Sequence, residues 1–138
     1  MPRKRVFVDS NIFGYTVDNK DVIKRDAARK RLDQLQAECD IVISTQVMGE
    51  LYNCATRFIK MEKAAARAYV RNLERFEVAQ ISTSLISDGI DISILNDLPF
   101  WDSLLLATAA TKGCSEFISE DLNHGQVVGG VQIVNPFI

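Results

Sequence analysis

The stretch Arg5-Val6-Phe7-Val8-Asp9-Ser10-Asn11 sets three apolar residues against a polar turn headed by an acid. A short unbroken apolar run bounded by turn residues reads as a buried strand, covered on both faces, rather than as the alternating strand of a half-exposed sheet. The acid then stands at the strand's carboxyl end, the edge at which open parallel sheets bind ligands. The same order returns late in the chain, where Phe117-Ile118 is the core of a strand and Ser119-Glu120-Asp121-Leu122 follows it.

Working outward from these two strands, the intervening sequence alternates between helix and strand patterns. Asp21 to Glu38 carries Val22, Ala27, Ala28, Leu32 and Leu35 among dense charges, an amphipathic helix, and Ile41-Val42-Ile43 is a second buried strand. Ser44 or Thr45 caps a helix running to about Phe58, with Val47, Leu51 and Cys54 or Ala55 on its apolar face. Glu62 to Arg75 is an Ala-rich helix, Phe76-Glu77-Val78 a third strand, and Ser82 or Thr83 caps a helix to about Leu95. Asn96-Asp97-Leu98-Pro99 is turn chemistry, with Pro99 suited to the start of a helix whose buried stretch is Leu104 to Ala110 and whose end is Gly113. After the Phe117-Ile118 strand, Gly129-Gly130 reads as a turn before a fifth strand, Val131-Gln132-Ile133-Val134. Strands alternating with helices predict an α/β domain in three layers, a central, mostly parallel five-stranded sheet covered by helices on both sides.

Composition places that domain among ordinary globular proteins. The 138 residues are 47% hydrophobic and 25% charged, enough for one domain spanning 1–138 with its own core and too little for two. Seven glycines and three prolines exclude a low-complexity chain. Cys39, Cys54 and Cys114 are odd in number and widely spaced, which excludes a disulfide framework and a Cys-based zinc site and fits a reduced cytoplasm. The basic Met1 to Arg5 segment precedes too short an apolar run for a signal peptide, and no stretch approaches the length of a membrane span.

Four acids stand beside apolar runs rather than in solvated charge blocks: Asp9, Glu50, Asp102 and Asp121. Asp9 and Asp121 emerge at strand carboxyl ends, and Asp102 falls in the first turn of a helix, where the partial positive charge of the helix end favours a carboxylate. Glu50 lies one residue off the apolar line of its helix and can border the core. Each has a plainer reading, as a cap, a dipole partner, turn chemistry or a partly exposed helical residue; only their joint placement suggests a pocket. Two carboxylates about 4 Å apart repel by roughly 4 kcal/mol at an effective dielectric near 20, so a convergent cluster calls for a cation. Mg²⁺ takes one or two carboxylates and keeps several waters, which makes Asp9 and Asp102 the first choices as ligands, with Asp121 for a second ion or a water ligand. Glu50 could orient a water or accept its proton, and Asn11 and Ser44 could donate hydrogen bonds to the acids or to a phosphate.

The net charge of −2 disfavours a protein that simply coats nucleic acid. Lys60, Lys63, Arg67, Arg71 and Arg75 nevertheless recur at spacings of three and four, so on one helix they form a basic stripe along which a phosphate backbone could lie. A solvated face with Glu62 and Glu74 as intrahelical partners is the plainer alternative. His124 is the only histidine, which excludes a multi-histidine metal site, and no Gly-x-Ser-x-Gly, Walker or dinucleotide-binding pattern is present. Trp101, beside Asp102, reads as a packing residue or a base-stacking platform.

In the order Val8-Asp9-Ser10-Asn11, Ser44-Thr45-Gln46-Val47 with Glu50, Phe100-Trp101-Asp102-Ser103-Leu104, and Ile118-Ser119-Glu120-Asp121-Leu122-Asn123-His124-Gly125 followed by Val134-Asn135-Pro136-Phe137, the chain resembles the PIN-domain ribonucleases, and within them the VapC-type toxins of toxin–antitoxin pairs. The resemblance runs from end to end. It implies a PIN-like fold and a Mg²⁺- or Mn²⁺-dependent endoribonuclease using Asp9, Glu50, Asp102 and Asp121 on structured RNA such as tRNA. It also implies a homodimer inhibited by a cognate VapB-like antitoxin that inserts a basic side chain among the acids. Two other classes compete: a binding module that keeps the fold without catalysis, and a metal-dependent phosphomonoesterase with Asp9 as nucleophile. Against the latter, the usual second Asp two residues on is Asn11.

Overall fold

The computed structural model describes residues 3–138. The elements follow in the order β1 (Lys4–Val8), α1 (Ser10–Tyr15), α2 (Val22–Glu38), β2 (Cys39–Ser44), α3 (Thr45–Arg57), α4 (Lys63–Asn72), a 3₁₀ turn (Leu73–Arg75), β3 (Glu77–Ala79), α5 (Thr83–Asn96), α6 (Phe100–Thr111), β4 (Glu116–Ile118), β5 (Val127–Val128) and β6 (Val131–Val134). Side-chain caps begin three of the longer helices, two of them, at Ser44 and Ser82, at predicted positions. Asp21 accepts from the Lys24 amide, Ser44 from Val47 and Ser82 from Leu85.

The strands form one sheet in the order β3-β2-β1-β4-β6-β5. Every pairing is parallel except β5 with β6. The sheet therefore has six strands rather than the expected five. The extra strand, β5, is two residues long and folds back on β6 through Gly129 and Gly130, both at positive φ. A strand this short carries no hydrophobic period of its own and exists because β6 offers it an edge. From β1 the chain steps outward to β2 and β3, then returns to the other side of β1 for β4 and β6. Right-handed crossovers put α1 to α4 on one face and α5 and α6 on the other. The reversal between β1 and β4 opens a crevice at the carboxyl ends of these two strands, the expected place for a ligand in such a sheet.

The core confirms why Val6, Phe7, Val8, Phe117 and Ile118 read as an unbroken apolar run, since all five are fully buried. The Phe7 and Phe117 rings stack across β1 and β4 with centroids 5.6 Å apart, fixing the register that sets Val8 beside Ile118. On the other face α6 buries Leu104 to Ala109 without a break. Gly89 lets α5 approach it closely, for a Cβ at that position would lie 3.0 Å from the Leu104 Cα.

The helix expected from Glu62 to Arg75 is shorter than predicted. Lys60 adopts a left-handed backbone, φ 66°, in the turn between α3 and α4, and Arg75 belongs to the 3₁₀ turn that lets buried Leu73 pack before β3.

Candidate active site

The parallel pairing of β1 with β4 brings the residues that follow them into contact. The Asp9 amide donates to the Ile118 carbonyl at 3.0 Å, and the Ser119 hydroxyl donates to Asp9 Oδ2 at 2.8 Å. Asp9 is 3% exposed, and its other oxygen accepts from the Ser10 amide at 2.7 Å as it caps α1. Asn11, in the first turn of α1, reaches across with Nδ2 to Asp9 Oδ2 at 3.3 Å, Ser119 Oγ at 3.2 Å and Asp121 Oδ2 at 2.9 Å. Ser119 Oγ in turn accepts from the Asp121 amide at 3.1 Å. One asparagine side chain and one serine hydroxyl thus hold two carboxylates from two strands.

Asp102 enters from the first turn of α6, half-buried, and Glu50 from α3, more exposed. Their charges are felt across the cluster. Burial pushes the Asp9 carboxyl up to about 6, against the lowering effect of the Ser119 and Ser10 hydrogen bonds, and Asp121 and Asp102 add to the rise. Glu50 is pushed up to about 7, first by desolvation and then by the Asp9 charge, with Asp102 and Asp121 contributing less. Asp102 is raised by desolvation and then by Asp121. Each shift disfavours the charged form, so the site resists carrying its full negative charge unaided.

A divalent cation answers that resistance, and two observations bear on its fit. Among the described residues no three Asp, Glu, His or Cys side chains are drawn together tightly enough to enclose an ion as they stand. That suits a hydrated, hard cation needing only one or two carboxylates better than a closed structural site. Asn11 Oδ1 is buried without a hydrogen-bond partner while its Nδ2 is committed to the acids, leaving an acceptor that a water of hydration would satisfy.

The other residues singled out from the sequence fall in different places. Ser44 is fully buried and caps α3, accepting from the Val47 amide at 3.4 Å; it makes no hydrogen bond to an acid. Lys63, Arg67 and Arg71 lie exposed along α4, but Lys60 stands outside that helix. Arg75 is folded back, its guanidinium 4.2 Å above the Phe76 ring and hydrogen-bonded to the Asn72 carbonyl. It lines a cleft of about 330 Å³ with Arg3 and Arg5 at the strands' amino ends, the far edge of the sheet from the acids. The continuous five-residue stripe expected on one helix is thus reduced to three residues. His124 is a local brace, Nδ1 accepting from the Asn135 amide at 2.9 Å, and Trp101 is 64% exposed with its ring edge-on to Phe100.

Sequence reasoning missed three contributors. Ser119 reads from the sequence only as the residue after a strand; the signal that finds it is its place one residue beyond β4, opposite Asp9 once the strands pair. Gln46 donates Nε2 to the Trp101 carbonyl at 3.2 Å, beside Asp102. Lys24 pairs with Glu120, the neighbour of Asp121, at 2.6 Å and lies 4.6 Å from the Tyr15 ring centre, while Tyr15 hydrogen-bonds Glu120.

An α/β domain with acids gathered at the switch point of a parallel sheet defines a class of fold and the place of a candidate site more narrowly than it defines a protein. Residues 6–129 match the PIN domain family, and the chain belongs to it. No match was found among curated proteins. Among solved structures the chain is similar to Mycobacterium tuberculosis VapC20, a toxin that cleaves the sarcin-ricin loop, at 20% identity and a TM-score of 0.66 over 84% of this chain and 91% of that one. It is similar to VapBC2 from Rickettsia felis, bound to a DNA fragment from its promoter, at 16% identity and a TM-score of 0.70 over 94% and 96%. A toxin–antitoxin complex from Klebsiella pneumoniae matches at 22% identity and a TM-score of 0.67 over 95% and 97%. At these identities the likeness is one of fold. No helix among the described residues is long and apolar enough to cross a membrane.

Proposed function

We propose that this chain is a Mg²⁺- or Mn²⁺-dependent endoribonuclease, the toxin of a VapBC-type toxin–antitoxin pair, acting in the cytoplasm on structured RNA such as tRNA. The observation that carries the reading is the buried Asp9 carboxylate, tied through Asn11 and Ser119 to Asp121 and sensing the charges of Asp102 and Asp121. Asp9 and Asp102 would hold the cation, with Asp121 for a second ion or a water of its shell. When bound it would offset their repulsion, neutralise the charge of a phosphodiester and lower the pKa of a coordinated water.

The chain's own residues then divide the remaining work. Ser119, Ser10 and Asn11 orient Asp9 and leave it little freedom. Glu50, whose carboxyl is raised to about 7, suits a base that takes the proton of the attacking water as its oxygen bonds to phosphorus and the ester bond breaks. Lys63, Arg67 and Arg71 offer phosphate contacts along α4. The phosphomonoesterase alternative fares worse, because the second acid it calls for two residues after Asp9 is Asn11, whose side-chain amide is committed to Asp9, Ser119 and Asp121.

Two surfaces support the partners. Ile86, Ile90 and Ile94 repeat every four residues along α5 and are 41%, 45% and 74% exposed, an apolar ridge suited to a second copy of the chain. Between α1 and α3, next to Asn11, a cavity of about 170 Å³ lined by Gly14, Tyr15, Cys54, Phe58 and Ile59 could take an apolar side chain of a VapB-like antitoxin. A basic residue following it would reach the acids and offset the repulsion that a metal relieves.

The test incubates purified protein with structured RNA and Mg²⁺ or Mn²⁺ beside an Asp9→Asn variant. Metal-dependent cleavage lost in the variant is expected. Equal cleavage by both proteins defeats the reading, and RNA binding without product at any metal concentration would favour the non-catalytic module.

A further inference from the structure

Gln46 is absorbed by none of the roles above, yet it stands between two of the acids. It lies in the first turn of α3, one helical turn before Glu50, so the two side chains share a face. Its Nε2 crosses to α6 and donates to the carbonyl of Trp101, the residue before Asp102, at 3.2 Å. The Gln46 side chain also acts to lower the Glu50 carboxyl, against burial and the Asp9 charge, and so favours its charged form. Its Oε1 is buried and has no hydrogen-bond partner in the structure. Leaving a buried amide oxygen unpaired is costly, and a fold tolerates that cost more readily where a site needs the group.

Glu50 and Asp102 belong to helices on opposite faces of the sheet, so no shared element sets their separation. The Gln46 to Trp101 hydrogen bond is a direct tie between those helices at the level of the acids. We propose that Gln46 is a positioning residue of the acid cluster, setting the separation of Glu50 and Asp102 by fastening α3 to the first turn of α6. Its role is to orient groups that touch the cation and the substrate, as partners behind a metal's ligands commonly do. The unpaired Oε1 is then the acceptor left for a water in the cleft once the donors are committed.

The inference rests on the metal-dependent reading of the cluster, and its test separates the two. Mn²⁺ binding is measured by electron paramagnetic resonance titration on native protein, Gln46→Met and Gln46→Glu, with RNA cleavage and thermal midpoints on the same samples. Gln46→Met keeps length and volume without the amide; Gln46→Glu keeps the shape and replaces the donor by another acceptor. The expected result is Mn²⁺ affinity weakened about 10- to 100-fold in Gln46→Met, with kcat reduced and KM for RNA little changed. Gln46→Glu is expected to lose kcat as well, since a carboxylate cannot donate to the Trp101 carbonyl. A fall in thermal midpoint with native Mn²⁺ affinity and native kcat would show Gln46 to be merely structural and overturn the proposal. Native protein that binds Mn²⁺ without cleaving RNA, with binding weakened in Gln46→Met, would sustain the positioning role and defeat the ribonuclease reading. Native protein that binds no Mn²⁺ overturns both.

Discussion

The buried Asp9 makes the metal-free protein pay for its charge in a way that can be measured. Its carboxyl is raised from 3.8 to about 6, so the folded state binds a proton more readily than the unfolded chain. The destabilisation is absent well below pH 4, grows as pH rises between those two values, and is complete above about pH 6. A shift of about 2 units corresponds to roughly 3 kcal/mol at full ionisation, taken at 1.36 kcal/mol per unit. Between about pH 5 and pH 7 the change from this one group is roughly 1–1.5 kcal/mol. The assay is urea denaturation in chelator at about pH 5, 6 and 7, on native protein and on Asp9→Asn, which cannot ionise there. Many other carboxylates titrate over the same range, but the difference between the proteins isolates position 9. The stability of the native chain should fall relative to the variant by that amount as pH rises, and saturating Mn²⁺ should restore the native protein alone. Parallel pH profiles for the two proteins would refute the claim that a buried, charge-frustrated carboxylate lies at the centre of the site.

Other perturbations test the remaining links. Glu50→Gln should lower kcat by on the order of 10²-fold while leaving Mn²⁺ binding largely intact, a split read by single-turnover cleavage and metal titration together. Gly89→Ala places a methyl against the Leu104 backbone and should cost about 1–3 kcal/mol in denaturation, forcing α5 from α6. Ile90→Asp should shift the protein toward monomer in analytical ultracentrifugation without unfolding it, because Ile90 lies on the exposed ridge. Lys24→Met removes the partner of Glu120 and should lower the melting temperature by the equivalent of about 1 kcal/mol, seen by calorimetry.

Much of the arrangement was legible before any coordinates. The unbroken apolar runs at Val6 to Val8 and Phe117-Ile118, the caps at Ser44 and Ser82, and Pro99 before α6 are local signals, and each marks its element to within a residue or two. The acids were legible because a carboxylate beside a buried strand end is costly and therefore conspicuous. The basic stripe was misjudged because spacing alone cannot show where a helix stops. Lys60 falls in a left-handed turn and Arg75 in a 3₁₀ turn. The sixth strand was missed because two valines have no period to read.

The linear chain therefore determined which segments are strands and helices and which acids stand at their ends, since hydrophobic period and capping act over a few residues. Only the tertiary structure decided that β4 returns to lie beside β1, which sets Ser119 against Asp9 and lets Asn11 span to Asp121. It likewise brought Gln46 against the helix that carries Asp102. These partners lie 55 to 110 residues apart, and which of them meet depends on strand order and helix packing, quantities to which no local pattern responds.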